Sequence, residues 1–179
     1  MKIRKLFAPD ATFNTASGQS VKRELLIAYL NTGTAETPVW SPFGKRVTDS
    51  ALEFDWSEET NTDILGNVYT NMKKPQLSQS FDPYTLDGGD TALLKIWNLA
   101  VKDQDYTALS NQDVLIVHLY AGTADTAMVA ERYSACSIRP TSLGGEGGGS
   151  LDMPIDITYG GTRTLGTAAI AAGAVTFTA

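Results

Sequence analysis

Apolar and polar residues alternate with a period of two at several places along the chain. Leu52, Phe54 and Trp56 fall on one side and Glu53, Asp55 and Ser57 on the other, which predicts a strand with one dry and one wet face. Leu151, Met153, Ile155, Ile157 and Tyr159 alternate in the same way against Asp152, Asp156 and Thr158. Within that run Pro154 lacks a backbone donor, so the strand is expected at an edge or with a bulge. Residues 128–138 form a longer alternating run that ends towards Pro140. Over residues 23–31 the apolar positions are nearly continuous, as in a strand covered at least partly on both faces, and residues 114–120 are rich in branched side chains.

One stretch has the helical period instead. Leu93, Ile96, Trp97 and Ala100 stand at i, i+3, i+4 and i+7. They predict an amphipathic helix over 91–102, with Asp90 as its N-cap and Lys102 suited to the negative end of the helix dipole. Trp97 on that stripe reads as core. Turns are expected at 31–34, 40–44 and 82–89. Residues 58–74 read as a long polar loop between strands, of the projecting kind that contacts ligands or partners. The glycine-rich tract 142–150 is expected to be flexible in an isolated chain. The organisation is therefore an N-terminal arm (1–22), a β-sandwich domain (23–160) and a C-terminal strand or arm (161–179).

Composition narrows the functional classes. With 179 residues, 42% hydrophobic and 19% charged, the chain can bury a real core. No apolar run reaches the roughly 18 residues that a membrane-spanning helix needs. The start, Met1 to Pro9, resembles a signal peptide until Pro9 and Asp10 interrupt it, so use without secretion is expected. Cys136 is the only cysteine and His118 the only histidine, which leaves no disulfide framework and makes a zinc site improbable. The glycines at 144–149 lack the Gly-Lys-Ser/Thr and following helix of a phosphate loop, and no Gly-x-Ser-x-Gly elbow is present. Acidic pairs such as Asp55 with Glu58, or Glu58 with Glu59, read as a solvated face. Neither catalytic, cofactor nor metal residues are assigned. A net charge of −6 disfavours gripping nucleic acid but suits a passage that DNA crosses without sticking.

Several segments together carry a family resemblance. They are Trp56 to Asp63, Gly66-Asn67-Val68-Tyr69, Lys74-Pro75 and Gln79-Ser80-Phe81-Asp82-Pro83-Tyr84, followed by the helix, the strand at 114–120, the Gly-rich connection and Gly173-Ala174-Val175-Thr176-Phe177. In this order, from about Lys45 to the end, the chain resembles the major tail tube proteins of long-tailed (siphovirus-type) bacteriophages. The resemblance implies a mainly β, sandwich or barrel-like tail tube fold with one flanking α-helix, extended terminal arms and a long inter-strand loop. It further implies a virion protein, assembled in the host cytoplasm. Six copies would form a ring whose inner strands join into one barrel, and the rings would stack into a conduit for genome delivery. Tape measure, tail terminator and distal tail proteins are the implied partners, with viral DNA passing through unbound. Six copies at −6 would give about −36 per ring, a repulsive wall for DNA. On their wet strand faces, Glu53, Asp55, Asp152 and Asp156 are the lumen-facing candidates. Glu58, Glu59, Asp63, Lys73 and Lys74 are the candidates for contacts between rings. Two other readings are a tail terminator or head–tail connector ring, and a monomeric carbohydrate-binding β-sandwich with Trp40, Tyr69 and Tyr84 as its platform. A small hydrolase ranks last.

Overall fold

In the computed structural model, which describes residues 10–179, the continuous apolar stretches become strands buried on both sides. Strand β1 (Leu26–Asn31) lies between β2 (Trp40–Pro42) and β7 (Gln112–Thr123), and β7 pairs in turn with the long β8 (Ala127–Pro140), all antiparallel. Leu30, Val114 and Ile116 enter one core with Ala28 beside them, while Tyr29, Leu115 and Val117 enter a second on the opposite face. Two cores sharing one sheet explain why β1 and β7 lack alternation. The register of β7 against β8 shifts between His118 and Gly122. Gly122 has φ 93°, and a Cβ there would stand 2.4 Å from the Ala127 carbonyl oxygen, so glycine is required at this bulge.

Strand β8 is the corner of the molecule. Along one of its sides run β9 (Ile155–Thr158), opposite residues 137–140, and β10 (Arg163–Ala171), opposite residues 128–133. A bend at Gly160 and Gly161 separates them, where Gly161 has φ 71° and passes close to the Ala135 backbone. The first half of β8 thus belongs to a sheet ordered β2-β1-β7-β8-β10-β11, closed by β11 (Ala174–Thr178). Its second half belongs to a sheet of β8, β9, β6 (Gln76–Phe81) and β3 (Leu52–Asp55). The larger core, with Phe81, Tyr84, Ile138, Met153, Ile155 and Ile157, fills the space between the sheets and beneath the helix.

The helix begins where its cap was expected. Asp90 accepts a hydrogen bond from the Leu93 amide at 2.9 Å and a second from the buried Tyr84 hydroxyl at 2.7 Å. Helix α1 (Thr91–Trp97) buries Leu93 and Ile96, and the chain continues as a π-helical turn (Asn98–Lys102) and a short α2 (Tyr106–Leu109). No helix among the described residues is long and apolar enough to cross a membrane.

Other expectations change. The region 58–74 is itself a two-stranded hairpin, β4 (Glu59–Thr62) with β5 (Val68–Asn71), which pairs only with itself. The Pro154 expectation fails, because β9 lies between β6 and β8. Pro154 sits just outside the strand, where its missing donor costs nothing. Residues 23–25 form a 3-10 turn rather than the start of β1. The glycine-rich tract folds back through a pair of hydrogen bonds between Gly144 and Asp152. In the N-terminal arm, residues 12–14 hold the end of β7 through Phe13 opposite Ala121. Over residues 161–179, where a strand or arm was expected, the chain supplies β10 and β11. The expectation drawn from Met1 to Pro9 concerns residues outside those described.

Candidate functional site

Side-chain alternation and strand register set the two faces of the β3-β6-β9-β8 sheet. Leu77, Gln79, Phe81, Ile155, Ile157 and Ile138 point into the core. Glu53, Ser78, Ser80, Asp156, Thr158 and Arg139 lie across from one another on the outer side. Asp55 joins them at the end of β3, opposite Gln76. Three of the four expected acidic residues therefore share one polar surface. Asp156 is held there by Arg139 at 2.8 Å and by the Ser80 hydroxyl at 2.9 Å, and these hold its carboxyl below the usual range. Asp55 accepts from the Ser57 amide at 2.9 Å, and Glu53 is exposed. Asp152 stands apart, bridging through its backbone to Thr85 and Gly144, with one carboxylate oxygen buried.

This sheet has two open sides. Beyond β3 no further strand pairs, and β7 stops at Gln112 opposite Cys136, which leaves residues 137–140 of β8 partnered only by β9 among the described residues. Phe54 and Trp56 stack at the β3 edge with ring centroids 6.1 Å apart. They lie on the core-facing side, yet remain 53% and 44% exposed, so the dry face expected for β3 is only half covered.

The hairpin of β4 and β5 projects from the same sheet. Its charges, expected to reach other rings, are partly engaged at home. Lys73 pairs with Glu59. Asp63 accepts from the Leu65 and Asn67 amides and the Asn67 side chain, which stabilise its charged form and fix the turn. Glu58 and Lys74 are exposed. What the charges leave out is apolar: Ile64, Leu65, Val68, Tyr69 and Met72 are all at least half exposed. An exposed cluster of this kind marks an interaction surface. It was legible in the sequence as apolar residues inside a stretch read as polar.

Sequence reasoning also missed an interior network. Glu131 accepts from His118 Nε2 at 2.9 Å, the Tyr133 hydroxyl at 2.9 Å and Arg163 Nε at 2.5 Å. Burial pushes this carboxyl up, but hydrogen bonds from His118, Arg163 and Tyr133 outweigh it and hold the group at about 2. The other His118 nitrogen meets the Tyr120 hydroxyl. No buried side-chain polar atom of this network lacks a partner, which is what a structural tie across β7, β8 and β10 requires. Cys136 is buried, and burial pushes its thiol up to about 12, so it is a poor nucleophile. No group of three or more His, Cys, Asp or Glu side chains suited to a metal occurs among the described residues. The carbohydrate platform is dismantled as well, since Trp40 and Tyr84 are buried.

No protein-family model and no curated protein matches the chain. Three solved structures are similar to this chain. One is the sheath/tube terminator of an extracellular contractile injection system (PVC) in its extended state, with TM-score 0.50 and 10% identity over 84% of this chain and 99% of that one. A chain of the PVC sheath-tube complex gives 0.48 and 11% over 84% and 94%. The tube terminating cap of the anti-feeding prophage gives 0.44 and 16% over 86% and 95%. At 10% identity the likeness to the terminator is one of fold alone.

Proposed function

We propose that this chain is a non-enzymatic structural component of a phage-like tail, forming rings that either stack into the tail tube or terminate it. The observation that carries the reading is the four-stranded sheet of β3, β6, β9 and β8, which has an acidic polar outer face and two unpaired sides. Open strand edges are a liability unless another chain covers them, and closing copies into a ring removes them all. The outer face would then line a bore where Glu53 and Asp55 repel DNA while Arg139 and Asp156 neutralise each other. Six copies per ring, as the tail tube resemblance implies, would present 24 strands if each contributes these four. Tape measure and distal tail proteins are the partners expected for a tube, and a virion tail assembled in the host cytoplasm is its expected place.

The terminator reading is supported at least as well, because the solved fold with TM-score 0.50 is a sheath/tube terminator. The two differ in what the purified full-length protein builds. Electron microscopy is expected to show hollow cylinders for a tube subunit and single rings for a terminator. A protein that stays monomeric at high concentration would contradict both.

A further inference from the structure

One cation interrupts the polar outer face of the four-stranded sheet. Strand register sets the outward side chains in rows. Glu53 begins a row that continues through Ser78 and Thr158 to Ser137 on β8. In the next row Ser80, Asp156 and Arg139 stand side by side. Apart from its acids these rows hold only hydroxyls, which leaves Arg139 as their one ionic partner for a phosphate. That arginine is already occupied. Asp156, directly opposite on β9, accepts from its guanidinium at 2.8 Å through one carboxylate oxygen and from the Ser80 hydroxyl at 2.9 Å through the other. The carboxylate is thus held from two sides. The arginine side chain is nonetheless 75% exposed and that of Asp156 35%, so the pair lies where an incoming polyanion reaches it. Within one copy Glu53 does not duplicate this cover. It stands three strands from Arg139, about 14 Å at the usual strand spacing, beyond the roughly 10 Å screening length of about 0.1 M salt.

We propose that Arg139 is a latent site for nucleic-acid phosphate and that Asp156, positioned by Ser80, is the residue that masks it. This rests on the reading of the outer face as the wall of a bore, and gives one acid there a task distinct from general repulsion. A phosphate that reaches the masked arginine must displace a carboxylate already bound in the same charge-assisted geometry. Without Asp156 each copy presents an uncovered guanidinium. A ring repeats that group at one height, so a passing strand meets several at once and their effects multiply. The pair is exposed and contributes little to folding, so its removal reads on binding rather than on stability.

The test uses rings of the full-length protein, checked by microscopy, and a fluorescent single-stranded oligodeoxynucleotide whose binding is followed by anisotropy over a series of salt concentrations. D156N rings are expected to bind at least about tenfold more tightly than wild type, with affinity falling as salt rises by a slope of about 0.7 per phosphate engaged. E53Q changes the net charge by the same amount but leaves Arg139 covered, and is expected to bind like wild type. Adding R139Q to D156N is expected to abolish the gain. A gain equal in E53Q and D156N, or one that survives R139Q, would overturn the masking and assign the effect to overall charge. D156N rings that bind no better than wild type would overturn it as well, and leave the ring-forming reading standing. D156N subunits that fail to assemble where wild type does would place the pair in assembly instead, against the proposal. Wild type that forms no rings would overturn both.

Discussion

Replacing Ile64, Leu65, Val68 and Met72 together by serine is expected to abolish stacking while the subunit itself stays folded. The hairpin that carries them pairs only with itself, and these side chains touch water. Substitutions at such positions usually change stability by less than about 0.5 kcal/mol each. The four together therefore cost at most about 2 kcal/mol, and the subunit melting temperature is expected to fall by no more than roughly 4–8 °C in a chain of this size. The effect on assembly is much larger. Fully burying an aliphatic side chain contributes about 1.5–3 kcal/mol, so four of them at a contact between rings hold roughly 6–12 kcal/mol per copy. Microscopy is expected to show single rings where wild type makes cylinders, or, for a terminator, rings that no longer seat on a tube end. Cylinders of unchanged length would remove the hairpin from the interface. Neutralising Glu59 and Lys73 should do far less, because they already pair within one chain and exposed pairs contribute little.

The second large effect is on folding. Glu131→Ala leaves His118, Tyr133 and Arg163 without their common acceptor in a mostly buried setting. Removing one partner of such a network costs about 3–5 kcal/mol, a melting temperature lower by roughly 6–20 °C. The same carboxylate sets an acid limit. Its folded value of about 2 lies below the ordinary 4.5, so the charged form is favoured by folding. That contribution, about 3 kcal/mol, is complete above pH 5 and is lost as pH falls through 4.5 towards 2. Wild type is expected to lose stability across that window, and the Ala variant to lose correspondingly less. Equal acid sensitivity in the two would show that Glu131 is not the group responsible. Thermal unfolding followed by circular dichroism at pH 7 and pH 3 reads both effects.

Local pattern made much of this architecture legible. The helix could be placed because its stripe and its cap, Asp90, lie within a dozen residues of one another. Strands β3 and β8 show alternation because each has one wet face, and Glu53, Asp55 and Asp156 could be assigned to that face from the period alone. Strand β9 was legible in type but not in position. Whether Pro154 marks an edge depends on which strands lie beside it, and β6 is some 75 residues away in sequence. The Glu131 network was out of reach for the same reason, since Arg163 and His118 come from separate strands that only the corner at β8 brings together. Within 58–74 the many polar side chains hid a hairpin whose ladder is regular and whose apolar residues face outward. Counting charges drew attention to Asp63 and Lys73, which the hairpin uses for its own turn and pairing. Asp152 alternates correctly on paper but lies beyond the end of β9, where the chain bends towards Gly144.

A reconstruction of the assembled particle at side-chain resolution tests the central claim most directly. The bore is expected to be lined by the outer face of β3, β6, β9 and β8, with Glu53, Asp55 and Asp156 towards its axis and each β3 margin covered by a neighbouring copy. A bore formed by the β2-β1-β7 sheet, a channel lined with unpaired Lys and Arg, or copies whose β3 margins face solvent would contradict it.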